Sequence, residues 1–94
     1  MIEKKLTYEE LKDKIRELNG EEAVRFLTDY IAQHPEDDGA YTLRGMKFWG
    51  MQKRSAAIND YLAAIRINPE SRAVQALKAT NEILDYYNKD LYNP

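Results

Sequence analysis

Two prolines, 34 residues apart, divide this chain into repeating units. Pro35 and Pro69 each follow a run of apolar residues at helical spacing, and each is followed by two polar residues. Proline lacks a backbone N–H and disfavours helix in the residue before it, so a helix is expected to end ahead of each one. Shifted by the same 34 residues, the chain aligns with itself without a gap. The paired positions include Ala23 with Ala57, Val24 with Ile58, Leu27 with Tyr61 and Ile31 with Ile65. A period of this length predicts stacked copies of one small structural unit.

The apolar periodicity between these stops predicts five helices and no strand. The predicted helices span about residues 8–18, 21–33, 38–51, 55–67 and 71–89. Thr7 and Glu10 form a capping-box pattern at the start of the first helix. The acidic pairs Glu21-Glu22 and Asp37-Asp38 lie at helix starts, where negative charge is favoured.

Composition narrows the classes of function. Fourteen basic and sixteen acidic residues give a net charge of -2, whereas binders of nucleic acid or anionic membranes need a concentrated basic face. The chain has no cysteine, which excludes disulfides and thiolate chemistry. No apolar run approaches the roughly 20 residues of a membrane span, and residues 1–16 lack the apolar stretch of a signal peptide. We therefore expect a single cytoplasmic domain over residues 1–94.

The central unit, residues 38–71, resembles the tetratricopeptide repeat. That family's pattern of aromatic, small and proline positions is matched by Tyr41, Gly45, Phe48, Ala57, Tyr61, Ala64 and Pro69. Arg44 stands where the family has leucine. The resemblance implies antiparallel helix pairs in a short right-handed superhelical stack, with residues 1–37 as a divergent first repeat and 72–94 as a capping helix and tail.

Gly45 and Arg44 carry specific structural expectations. A glycine inside a helix costs about 1 kcal/mol relative to alanine, which is tolerated where two helix backbones must approach closely. Ala57 and Ala64 are expected to form the facing surface of that contact. The stem of Arg44 is expected to be partly buried, with its charge near a carboxylate or solvent.

The resemblance also implies a concave groove, lined by the first helix of each unit, that holds a peptide or a partner helix. The residues expected to line it are Tyr8, Lys12, Ile15, Thr42, Met46, Trp49, Ala76, Thr80 and Ile83. Trp49 is the candidate hot spot, because tryptophan is enriched at such positions. The alternative is that Trp49 packs between Ile15 and Ile83 as core. A family subgroup grips a C-terminal carboxylate with Lys, Asn and Arg, a set that this groove lacks; Lys12 alone could contact an anion.

Catalysis has little support in the sequence. His34 is the only histidine and lies at a helix end, where capping of the last turn is the simplest role. No Gly-rich phosphate loop and no nucleophile elbow occurs. We expect no enzymatic activity, no metal and no cofactor.

Two functions remain open. The first is a scaffold that binds a peptide or helix of another protein, without nucleic acid or membrane. The second is a self-associating structural unit, a homodimer that pairs through the groove or through Leu84, Tyr87 and Leu91 of the last helix. The expected oligomeric state is a monomer or a weak homodimer. Leu91 and Tyr92 either cover apolar groove surface or form a frayed terminus. An RNA-binding helical repeat is disfavoured by the net charge.

Overall fold

The computed structural model of the chain describes residues 4–80. Within that span all regular structure is helical, which confirms the predicted all-helical fold of five helices. The helices are α1 (Tyr8–Ile15), α2 (Gly20–Gln33), α3 (Asp38–Gly50), α4 (Arg54–Ile67) and α5 (Ala73–Thr80). Short connections join the helices, and α2 packs against α3, α3 against α4 and α4 against α5. The first unit is α1 with α2, the second is α3 with α4, and α5 begins the third.

The first two helices start with capping boxes. The Thr7 hydroxyl accepts the Glu10 N–H at 3.1 Å, and the Glu10 carboxylate accepts the Thr7 N–H at 2.9 Å. Asn19 and Glu22 exchange the equivalent bonds at 2.8 and 3.2 Å. Because Asn19 caps α2, the residues just before it form the turn, and α1 ends at Ile15. The prediction that the first helix continues to residue 18 was wrong for this reason.

A buried hydroxyl connects the start of the chain to α2 and α3. Tyr30 of α2 is fully buried, and its hydroxyl accepts the Leu6 N–H at 2.8 Å. The same hydroxyl donates to the Asp37 carboxylate at 2.9 Å, while the other oxygen of Asp37 caps α3 by accepting the Ala40 N–H at 3.2 Å. One phenol therefore fixes the entry to α1 and the entry to α3 together.

The close approach expected at Gly45 is present. A Cβ atom placed on Gly45 would lie 2.6 Å from Cε1 of Tyr61 and 3.1 Å from the backbone oxygen of Ala57. Ala57 and Ala64 are fully buried on α4. The space over Gly45 is thus filled mainly by the ring of Tyr61, with the backbone of α4 directly behind it.

Arg44 bridges three helices. Its Nε and Nη2 atoms donate to the two carboxylate oxygens of Asp60 on α4, both at 2.8 Å, and Nη1 donates to the Thr28 hydroxyl on α2 at 3.1 Å. Asp60 is 5% exposed, and the hydrogen bonds with it raise the pKa of Arg44. The expectation of a partly buried Arg44 beside a carboxylate is confirmed, because its side chain is 19% exposed.

The core forms two clusters that meet at α3. The first contains Leu11, Ile15, Ala23, Leu27, Tyr30, Ile31, Ala40 and Leu43. The second contains Ala57, Tyr61, Ala64, Ala73 and Leu77. Tyr41 of α3 packs against both clusters. The predicted end of the last helix, residues 81–89, lies outside the described residues.

The contact at Gly45 predicts opposite effects for two glycines of the same helix. Gly45→Ala is expected to lower the free energy of unfolding by about 1–3 kcal/mol, since the added methyl overlaps the Tyr61 ring. Gly50→Ala is the control, because a Cβ there meets nothing within 4 Å. It is expected to raise stability by up to about 1 kcal/mol through helix propensity. Urea unfolding followed by circular dichroism measures both; equal shifts in one direction would contradict the account.

The buried Tyr30 hydroxyl predicts a loss of stability in alkali. Burial, with the nearby Asp37 carboxylate, raises the pKa of Tyr30 to about 12, and burial also raises the pKa of Tyr8 and Tyr61. A tyrosine that ionises at pH 10 when unfolded but only near pH 12 when folded stabilises the fold fully below pH 10 and progressively less between the two values. Urea midpoints should therefore fall steeply from pH 10 to 12.

Tyr30→Phe provides the comparison for that titration. The variant should be less stable at neutral pH by about 1–3 kcal/mol, because the Asp37 carboxylate and the Leu6 N–H lose a partner. Its further loss between pH 10 and 12 should be shallower than that of the unmodified chain. Parallel curves for the two proteins would show that Tyr30 does not carry the effect.

Candidate functional site

The first helices of the three units share one surface. α3 contacts both α1 and α5, and two open hollows lie along these contacts. The hollow between α1 and α3 has a volume of about 330 Å³ and is lined by Lys12, Ile15, Arg16, Leu43, Met46 and Lys47. We call it the basic hollow. The hollow between α3 and α5 has a volume of about 220 Å³ and is lined by Met46, Trp49, Tyr61, Ala76, Ala79 and Thr80. We call it the aromatic hollow.

Met46 joins the two hollows. It lines both, and its side chain is 45% exposed. The only other large apolar side chain exposed to a comparable degree within residues 4–80 is Ile67, at the end of α4. The hydroxyl of Tyr8 approaches the Met46 sulfur at 3.9 Å. An exposed thioether between two hollows forms an apolar, adaptable surface.

Most of the predicted groove residues are brought together. Lys12, Ile15 and Met46 line the basic hollow, and Met46, Trp49, Ala76 and Thr80 line the aromatic one. Ile15 and Thr80 each contribute only a small part of the lining surface, because both side chains are buried. Ile83 lies outside the described residues.

Thr42 requires a correction. Its position four residues before Met46 placed it on the groove face, yet it is fully buried. The Thr42 hydroxyl donates to the Asp38 carbonyl at 2.9 Å and lies 3.3 Å from the Ser71 hydroxyl. Ser71 in turn accepts the Ala73 N–H at the start of α5. The chain entering α5 therefore covers Thr42, whose role is to join α3 to α5.

Tyr8 lines neither hollow but packs beside them. The guanidinium of Arg72 lies 4.0 Å from the centre of the Tyr8 ring, and the Lys12 ammonium lies 5.7 Å from it. A Cβ atom on Gly39 would lie 3.1 Å from the ring, so Tyr8 packs closely on the start of α3. Burial raises the pKa of Tyr8, against the opposing effect of Arg72. The ring thus connects the N-terminal ends of α1, α3 and α5.

Trp49 belongs to the core and to the groove. The ring is half-buried and packs against the second core cluster, while it also lines the aromatic hollow. The guanidinium of Arg54 lies 5.4 Å from the ring centre. Trp49 thus contributes to the core, but at the second cluster, whereas Ile15 belongs to the first and Ile83 lies outside the described residues. Truncation of Trp49 would affect packing as well as the surface.

Five lining residues were not identified from the sequence: Arg16, Leu43, Lys47, Tyr61 and Ala79. Leu43 and Lys47 lie one helical turn apart beside Met46, so their spacing was a usable signal. Tyr61 was expected only as a filler beside Gly45. Its ring covers Gly45 and also reaches the floor of the aromatic hollow.

His34 packs against Tyr30 of the first core cluster. Its backbone N–H, not its ring, caps α2 by donating to the carbonyls of Tyr30 and Ile31. The ring stacks at a tilt on Tyr30 with 4.6 Å between centres, and its Nε2 atom is buried without a hydrogen-bond partner among the described residues. Residues 4–80 contain no cluster of three or more His, Asp or Glu side chains that could hold a metal ion.

Comparisons with protein-family models, curated proteins and solved structures gave no match. None of the helices in residues 4–80 combines the length and apolarity needed to cross a bilayer.

Proposed function

We propose that this chain is a tetratricopeptide-like interaction module that holds a segment of another protein along α1, α3 and α5. The observation that carries the proposal is the exposed Met46 side chain at the junction of the two hollows. Concave surfaces with apolar side chains that stay open to solvent mark binding sites in soluble domains. Met46 lines both hollows, so one extended or helical segment that crosses it would occupy both.

Several features support the family part of the proposal. The 34-residue period coincides with helix pairs, and Gly45 lies at a close contact between α3 and α4. The groove is lined mainly by the first helix of each unit, as the resemblance implies. A right-handed superhelical stack and a cytoplasmic location are parts of the same proposal.

Binding without catalysis is the role that fits these side chains best. The hollows are lined by apolar, aromatic and cationic residues and by one threonine whose hydroxyl donates to the Leu77 carbonyl at 2.8 Å. A partner's apolar side chain could enter the aromatic hollow between Trp49, Tyr61 and Ala76. Trp49 would then form part of a hot spot, in which a few aromatic contacts supply most of the affinity.

Self-association is the alternative. Leu84, Tyr87 and Leu91, the residues proposed for it, lie outside the described residues. The groove itself could also receive a second copy. Sedimentation equilibrium over a wide concentration range distinguishes the two functions, since a tight dimer would favour self-association.

Met46 should control binding. Peptides selected for this domain from a random display library should bind Met46→Ala at least about 10-fold more weakly than the unmodified chain, as truncation of a hot-spot residue costs about 1–2 kcal/mol. Affinities can be read from the fluorescence of Trp49, the only tryptophan. The matched control is Ile67→Ala, which removes the other exposed large apolar side chain and should change the affinity by less than about twofold.

Two results would contradict this proposal. One is the failure of the library to yield any specific peptide. The other is equal weakening by Met46→Ala and Ile67→Ala, which would place binding elsewhere or make it non-specific.

A further inference from the structure

The groove concentrates positive charge in a chain that is acidic overall. Lys12, Arg16 and Lys47 line the basic hollow together with the apolar side chains of Ile15, Leu43 and Met46. No carboxylate lines either hollow among the described residues. The whole chain nevertheless has sixteen acidic residues against fourteen basic ones. The distribution of charge, rather than its total, therefore distinguishes this surface.

These cations are available to an incoming group. Lys12 lies 3.9 Å from Glu9, and Arg16 lies 2.6 Å from Asp13; both pairs are largely exposed. Exposed ion pairs within one helix contribute little to stability, so their partners can be exchanged. Lys47 makes no ion pair with any residue of the described span. Of the three cations of the basic hollow, Lys47, the nearest to Met46 along α3, is the one without an ion-pair partner in residues 4–80.

The aromatic hollow has the opposite character. Trp49, Tyr61 and Ala76 give it aromatic and aliphatic walls, and no charged side chain of residues 4–80 lines it. Since Met46 lines both hollows, a ligand that spans the groove meets a cationic region and an apolar region in direct succession.

We propose that the occupant of this groove is an acidic–apolar peptide segment of another protein. Its side-chain carboxylates face Lys12, Arg16 and Lys47, and a neighbouring large apolar side chain fills the aromatic hollow. The inference rests on the proposed function and specifies the chemistry of the partner. The basic hollow presents three cations, more than the single carboxylate of a chain terminus can match, so side-chain carboxylates within a segment are the expected ligands.

A nucleic acid fits the same groove less well. Phosphates could meet the three cations, but binding to nucleic acid draws on many such contacts along a basic surface. Here the cations are confined to one hollow, and the chain carries a net charge of -2. A large apolar side chain next to a carboxylate is a feature of peptides.

Selection from a library of short random peptides tests the proposal. Enriched peptides should carry two or more Asp or Glu residues next to Trp, Phe, Leu or Ile. Their affinity should fall as salt is raised, because Lys12 and Arg16 are exposed and Lys47 is only partly buried. Amidation of the peptide C-terminus should leave the affinity unchanged. Lys47→Glu should weaken binding at least about 10-fold, since it replaces attraction by repulsion at the basic hollow.

Lys14→Glu is the matched control. Like Lys47 in α3, Lys14 lies in the last turn of its helix; Lys14 is exposed whereas Lys47 is partly buried, and Lys14 lines neither hollow. It should change affinity by less than about twofold. Lys47→Gln removes the charge without reversing it and should give a loss of affinity between those of the other two variants. It keeps the test valid if Lys47→Glu misfolds. Circular dichroism checks that all three variants are folded.

Failure of this inference differs from failure of the proposed function. Selected peptides that depend on Met46 but show no acidic preference, or that bind Lys47→Glu and Lys14→Glu equally, would overturn the acidic–apolar assignment alone. Dependence on a free C-terminal carboxylate would overturn the assignment to an internal segment. If random single-stranded RNA displaced a bound peptide at lower concentrations than a competing peptide does, a nucleic acid would replace the acidic–apolar peptide as the assigned occupant. The absence of any Met46-dependent peptide would contradict the proposed function itself.

Discussion

The contact between Gly45 and the ring of Tyr61 is the constraint from which the rest of the arrangement follows. With no side chain at position 45, Tyr61 lies across α3, and the backbone of α4 approaches at Ala57. The same ring forms part of the wall of the aromatic hollow. Packing inside the second unit and the shape of its surface are therefore set by one side chain. A larger residue at position 45 would displace both.

Polar contacts then fix how the units join. Tyr30 and Asp37 connect the entry of α1 to the start of α3, and Arg44 connects α2 to α4 through Asp60. Buried hydrogen-bonded pairs of this kind specify one arrangement of helices, because a shifted neighbour would leave a buried charge or hydroxyl unpaired. The two hollows lie between helices that these polar contacts hold in place. We therefore expect the groove to have the same shape before and after a partner binds.

The sequence predicted the parts of this structure that depend on local pattern. Proline spacing and apolar periodicity were sufficient to predict five helices, and the Thr7 capping box marked the start of the first. The family resemblance named most of the residues that line the two hollows. Position on a helix face did not predict the surroundings of Thr42 correctly, because Ser71 and the chain entering α5 cover it. Asp60 could not be identified as the partner of Arg44, since the two are 16 positions apart and meet only through tertiary packing. Gln52 adopts a left-handed φ of 64° in the turn before α4, a conformation that its residue type does not indicate.

The central claim about function is that the groove is open where the basic hollow and the aromatic hollow meet. Methionine methyl resonances test this claim most directly. Met46 lies at that junction, whereas Met51 packs beside Gly20, where an added Cβ would lie 2.9 Å from its sulfur. Both methyl groups are recorded in one ¹³C spectrum as a selected acidic–apolar peptide is added. The account predicts that the Met46 methyl resonance shifts with the peptide's binding curve while that of Met51 stays in place. A shift at Met51 with Met46 unmoved would contradict it.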